Sequence, residues 1–201
     1  MRIAFDLNDV LRDYSSNFVK VYNKAFYEEF DEDNLVISSP NMNEVLPFDN
    51  KAAYTAFLYE DYPFEIYGKC PATEKGLSGY LSQWVRDMEH TDIDEDIELL
   101  VVSPMETGLA IPSSCFFLSK LGYPFREVYF PKDSATIWDR CDILVTASPR
   151  MLDNKPDNKK AVKIATDYNK ECSSDWTYDN VLAFLTDAEN FSKPLVSNDG
   201  E

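Results

Sequence analysis

Histidine is almost absent from this chain. Its sole representative, His90, lies in the polar stretch "RDMEHTD" (86–92) and reads as a surface residue rather than a catalytic base. Cysteine is sparse too: Cys70, Cys115, Cys141 and Cys172 are widely spaced and form no C-x-x-C pair. That excludes a zinc-ribbon pattern and a dense disulfide framework, so free thiols and a cytoplasmic setting are expected. No run approaches the roughly 18 apolar residues of a membrane-spanning helix, and no basic segment followed by an apolar one opens the chain, so neither a membrane span nor a secretory signal is expected. Basic residues are the last shortage: 19 Lys and Arg stand against 36 Asp and Glu, a net charge of −17. A surface this acidic favours solubility and repels nucleic acid and anionic membranes. It also opposes the inward steering of phosphate unless a local positive pocket overrides it.

Aromatic residues are plentiful by contrast. Thirteen Phe and 12 Tyr supply ample apolar area for a packed interior. Short apolar runs punctuate the chain at "RIAF" (2–5), "ELLVVS" (98–103), "EVYF" (127–130), "DILVTA" (142–147) and "AVKIA" (161–165). Near-continuous apolar runs of this length suit parallel strands buried on both faces, and the helical patterns between most of them suit crossover connections. The expected fold is therefore α/β: a doubly wound, Rossmann-like parallel sheet.

The spacing of these runs is uneven. About ninety residues separate the first two, far more than one crossover helix needs, so an inserted helical lobe is expected over 14–95. The core is then 1–13 with 96–191, and 192–201 is a mobile tail. Within the lobe, "SSNFVKVYNKAFYEEF" (15–30) repeats apolar residues at helical spacing, with Ser15 or Ser16 as cap. "DNKAAYTAFLYED" (49–61) opens on Asp49 as a cap, and "EKGLSGYLSQWVRDME" (74–89) aligns Leu77, Leu81, Trp84, Val85 and Met88 on one stripe. Beyond the second strand, a helix is expected over 111–122, stopped by Gly122, and a last one over 175–191.

In open parallel sheets ligands bind outside the carboxyl ends of the strands. There the first strand delivers Asp6, the second Ser103, the loop after the third Lys132, and the fourth Thr146, Ala147 and Ser148. A carboxylate, a hydroxyl and an ammonium group converging on one crevice suit phosphoryl transfer: the carboxylate as nucleophile, Ser103 and Lys132 as holders of phosphate oxygens.

With these motifs in this order the sequence resembles the haloacid dehalogenase-like (HAD) superfamily, and its layout resembles the nucleotidase-like branch. "IAFDLNDVLRD" looks like the first motif, "LLVVS" like the second, Lys132 like the third-motif lysine and "CDILVTASPRML" like the fourth; the inserted lobe matches the helical cap. The resemblance implies Asp6 at the nucleophile position and, in an active member, a phosphatase or 5'-nucleotidase-like hydrolase that uses Mg²⁺.

Two departures weigh against activity. Asn8 stands where the family has its acid/base, and asparagine cannot shuttle a proton, a loss of about 10²–10⁴-fold. Thr146 and Ala147 stand where the fourth motif supplies carboxylates to magnesium, which leaves Asp6 as a weak lone anionic ligand. Asp9 and Asp142 are close in sequence, but Asp142 begins its strand and belongs at the far end, so Asp153 is the candidate substitute. The expected protein is a family-like fold with a degenerate site, lacking Mg-dependent phosphatase activity, with no cofactor expected and a small phosphorylated ligand or another protein as partner. The competing expectation is an active hydrolase with Asp6 as nucleophile and Mg²⁺ bound.

Overall fold

The structure, a computed structural model, describes residues 1–31, 34–89, 97–104, 106–122 and 125–187. His90 and the expected tail at 192–201 lie outside the described residues. Among the described residues no helix is long and apolar enough to cross a membrane.

Each apolar run forms a strand: β1 (Arg2–Asp6), β2 (Glu98–Val102), β3 (Glu127–Tyr129), β4 (Ile143–Thr146) and β5 (Lys160–Ile164). A sixth, β6 (Trp176–Tyr178), falls where the sequence pattern predicts the start of the last helix. That helix, α6, is shorter and runs Val181–Thr186, its N-cap Asn180 accepting a bond from the Ala183 amide. Three edge residues leave no apolar run to notice, and the cap just after them marks the true start of the helix.

The sheet order is β3-β2-β1-β4-β5-β6, with all neighbours parallel. The chain winds outward from β1 through β2 and β3, then returns to β1's other side for β4, β5 and β6. The doubly wound sheet therefore switches direction between β1 and β4, where a crevice opens beyond the carboxyl ends. Phe5 registers with Val145, so Asp6 and Thr146 emerge side by side at that switch point.

Alternation along the strands sends residues to two different cores. Ile3, Phe5, Leu99, Val101, Val145 and Val162 face helices α3 (Leu77–Glu89), α4 (Ala110–Leu121) and α6. Ala4, Leu100, Val102, Leu144 and Ala161 face Ile137, Trp138, Met151 and Leu152 on the other side. Phe5 anchors the first core, 6.3 Å from the Trp84 ring centroid and 6.0 Å from those of Phe125 and Phe184.

A third apolar cluster builds the inserted lobe. It gathers Phe18 and Tyr22 of α1 (Tyr14–Phe26), Met42, Leu46, and Phe57, Leu58, Ile66 and Tyr67 of the segment that follows α2 (Lys51–Ala56). Asn50, rather than Asp49, caps α2 by accepting from the Ala53 amide. Ser15 and Ser16 do not cap α1; Asp13 holds that position without a side-chain bond, and Ser15 turns to Asp9 instead. Beyond α2 the chain continues as two π-helical turns, Phe57–Asp61 and Phe64–Gly68.

α3 falls within the stretch expected for the lobe, but it packs elsewhere. Leu77, Leu81 and Trp84 of α3 lie in the sheet's first core, not in the lobe cluster. An amphipathic stripe says that a face is buried but not against what.

The second π-helical turn seats the lobe on α4. A Cβ added to Gly68 would lie 2.7 Å from the Phe64 ring and 3.3 Å from the Ser113 carbonyl oxygen. Gly68→Ala is expected to destabilise the fold by about 1–3 kcal/mol through overpacking at this seat. Urea denaturation of the two chains measures it, and equal midpoints would show that the seat relaxes freely.

Candidate functional site

The crevice is built by the turn after β1. Leu11 and Arg12 both donate their amides to the Leu7 carbonyl, and the Asp9 amide donates back to the Arg12 carbonyl at 2.9 Å. This closure forces Asp9 to φ 56°, a left-handed conformation that Asp tolerates better than most residues. The turn thus places Asn8 and Asp9 at the crevice and Arg12 beneath it.

Arg12 is 0 % exposed, and each of its donor groups is used. Its Nε donates to Asn8 Oδ1 at 2.7 Å, one terminal nitrogen to Ser114 Oγ at 2.6 Å, and the other to Glu106. The guanidinium also sits 4.9 Å from the centroid of the Tyr67 ring. Glu106 accepts further bonds from Ser103 Oγ and Ser114 Oγ, both at 2.6 Å. Burial works against the Arg12 charge, but the adjacent Glu106 carboxylate overrides it and holds the pKa above its usual value.

Asp6, 3 % exposed, accepts from Thr146 Oγ1 at 2.8 Å, and Thr146 in turn accepts from the Ser148 amide at 3.0 Å. Burial pushes the Asp6 carboxyl up to about 7, against the lowering effect of the Thr146 bond, the Leu7 amide and the Arg12 charge. Asp9 is also raised by burial, although it takes the Ser15 amide at 2.8 Å, the Ser15 hydroxyl at 2.5 Å and the Tyr168 hydroxyl at 2.8 Å.

These groups line a cavity of about 550 Å³ between the sheet's carboxyl edge and the lobe. Asp6, Asn8, Asp9 and Glu106 line it from the core, with Ser134, Ser148, Arg150 and Tyr168. The lobe contributes Lys51, Tyr54, Leu58, Tyr59 and Tyr67.

Of the residues marked by sequence, the fold brings together Asp6, Asn8, Ser103 and Thr146. Ser103 is present but spends its hydroxyl on Glu106. Lys132 is exposed and does not line the cavity; Arg150, four residues past Thr146, is the core cation that does. Asp153 is also exposed, at the end of the short helix α5 (Pro149–Asp153), and is absent from the cavity wall, so it is not placed to stand in for a fourth-motif acid. Asp142 lies at the opposite end of the sheet, accepting from the Arg2 amide at 2.8 Å.

Sequence reasoning passed over Arg12, Glu106, Ser114 and Ser134. The available signal was a basic residue inside an otherwise apolar and acidic first motif. A guanidinium that close to a buried strand end needs a carboxylate partner.

No protein-family model matches this sequence, and a comparison with curated proteins finds no match. Solved structures do match its fold. One is named as a haloacid dehalogenase-like hydrolase, from Burkholderia xenovorans LB400. It aligns with TM-score 0.56 over 94% of this chain and 96% of its own, at 13% identity. The architecture the two chains share is a Rossmann-like parallel sheet, here of six strands, with flanking helices. At this identity the likeness defines the fold, and the chemistry rests on the site itself.

The magnesium expected from the sequence resemblance can be set against the donors present. Asp9 and Glu106 are the acids nearest Asp6 along the cavity wall, and both already accept donors on each carboxylate oxygen. Among the described residues no group of three or more His, Cys, Asp or Glu is gathered to hold a metal. A cation that requires several free hard oxygens does not fit this set.

Proposed function

We propose that this chain is a small-molecule-binding protein on a hydrolase fold, and that it does not carry out Mg-dependent phosphomonoester hydrolysis. One observation carries the reading: each side chain at the positions that would run the reaction is held in a hydrogen bond by a neighbouring side chain. Arg12 holds Asn8, Glu106 holds Ser103, and Thr146 holds Asp6.

The electrostatics support the same reading. A phosphate dianion brought to Asp6 would meet Asp6, Asp9 and Glu106 across one cavity, with the Glu106-paired Arg12 beneath them and Lys51 and Arg150 exposed on its outer wall. Like charges in a desolvated cleft repel strongly. The Asn8 amide supplies no proton to a leaving group and, held by Arg12, activates no water.

The alternative, an active phosphatase or nucleotidase-like hydrolase with Asp6 as nucleophile, draws on the placement of Asp6 at the switch point, facing a cavity of substrate size. The purified chain assayed with Mg²⁺ and p-nitrophenyl phosphate separates the two. The expected result is no turnover above that of Asp6→Asn. Turnover lost in Asp6→Asn would establish the hydrolase.

A further inference from the structure

We infer that the cavity takes a small ring-bearing zwitterion, its cationic donor end toward Asp6 and its anionic end at the mouth between Lys51 and Arg150. The inference rests on the binding role proposed above and specifies the ligand class.

The polarity of the cavity is read from exposure. Its acids are deep: Asp6 is 3 % and Glu106 6 % exposed. The cations that line it are shallow: the Arg150 side chain is 59% exposed in a long, solvent-exposed ion pair with Asp133 at 3.7 Å, and Lys51 is also exposed. One cation comes from the core and one from the lobe, so an anionic group at the mouth meets both walls of the cleft. An anion pushed inward meets carboxylates instead.

The acids of the cavity are not equivalent. Glu106 is neutralised by Arg12, and Asp9 is bonded at both oxygens by Ser15 and Tyr168. Asp6 takes fewer donors than either of them, Thr146 at Oδ2 and the Leu7 amide. It is therefore the acid best able to receive an ammonium or amide N–H from a ligand.

The cavity lining is also aromatic. Tyr14 and Tyr67 stack at 5.9 Å with their planes 23° apart, and Tyr59 and Tyr67 at 6.4 Å and 11°. Burial raises the pKa of all three phenols, so they remain neutral and give this part of the lining an aromatic, uncharged surface against which a ring can pack. Ser134, 2 % exposed and lining the same cavity from the core, has a buried hydroxyl with no partner among the described residues. A buried polar atom left unbonded is uncommon, and a ligand hydrogen bond accounts for it.

An NMR titration of the full chain tests this with para-(aminomethyl)benzoate, benzylamine, benzoate and inorganic phosphate. The bifunctional ring is expected to bind about tenfold or more tighter than either monofunctional one. Asp6→Asn should weaken benzylamine and the bifunctional ring about tenfold and spare benzoate; Arg150→Ala should weaken benzoate and the bifunctional ring and spare benzylamine. Phosphate binding tighter than the bifunctional ring would overturn the inference. So would amine binding indifferent to Asp6→Asn, or no binding of any ring. If the rings fail while p-nitrophenyl phosphate is still not turned over, only the ligand class is wrong. Magnesium-dependent turnover would instead remove the binding reading beneath it.

Discussion

Glu106→Leu is expected to unfold roughly 3–5 kcal/mol more easily than the parent chain, because it leaves the Arg12 charge buried without its counter-ion. The same change orphans the hydroxyls of Ser103 and Ser114, each of which donates to Glu106 at 2.6 Å. No side-chain rearrangement can return Arg12 to water: it is 0 % exposed, beneath the turn that its own backbone closes. The double variant Arg12→Met, Glu106→Leu should recover most of the loss, since two apolar side chains carry no desolvation penalty. Urea denaturation of the parent, both single variants and the double variant gives the coupling energy directly. If the double variant falls as far as the sum of the singles, the pair is not an interacting unit and the site is not organised around it.

Asp6→Asn is expected to stabilise the fold, and to do so more strongly as the pH rises. Burial lifts the Asp6 carboxyl from 3.8 to about 7, so the folded state prefers the protonated form. The sign follows from linkage: what this group contributes is fully present below about 3.8 and is lost as the pH climbs through about 7. At pH 8 the charged carboxylate costs roughly 4 kcal/mol relative to an unperturbed one, at about 1.4 kcal/mol for each tenfold. Asparagine is neutral throughout and still offers an oxygen to the Thr146 hydroxyl. The variant's advantage should therefore widen by about 2–3 kcal/mol between pH 5 and pH 8. Other carboxylates titrate in both chains and cancel in the difference. Paired denaturation curves at the two pH values check this, and a gap that does not change with pH would mean that Asp6 is well solvated.

Both predictions concern one small region, yet its two halves differed in how far the sequence exposed them. The end of β1 was legible: an apolar run closing on Asp6 can only be a buried strand delivering a carboxylate to a crevice. The pairing of Arg12 with Glu106 was not, because 94 residues separate them and no local period connects the two. Ser114, which completes the network, is 102 residues from Arg12. Which cation lines the crevice was hidden for a related reason. Lys132 and Arg150 both follow strand ends, and only the course of the loops decides that Arg150 lines the cavity while Lys132 faces solvent.

Elements followed the same division. The strands β1, β2, β3, β4 and β5 announced themselves because burial on both faces demands unbroken apolar runs. β6 did not, since three residues at a sheet edge need no such run. For α3 the stripe of Leu77, Leu81 and Trp84 identified a helix and its buried face, but its assignment to the sheet core instead of the lobe depended on packing.

What the sequence by itself determined was the class of architecture and the location of Asp6, because hydrophobic periodicity and strand-end chemistry are local properties of the chain. Only the tertiary structure decided which groups neutralise which. Charge pairing is set by burial and distance, and those bring Asn8, Arg12, Ser103, Glu106 and Ser114 into one network from separate parts of the sequence.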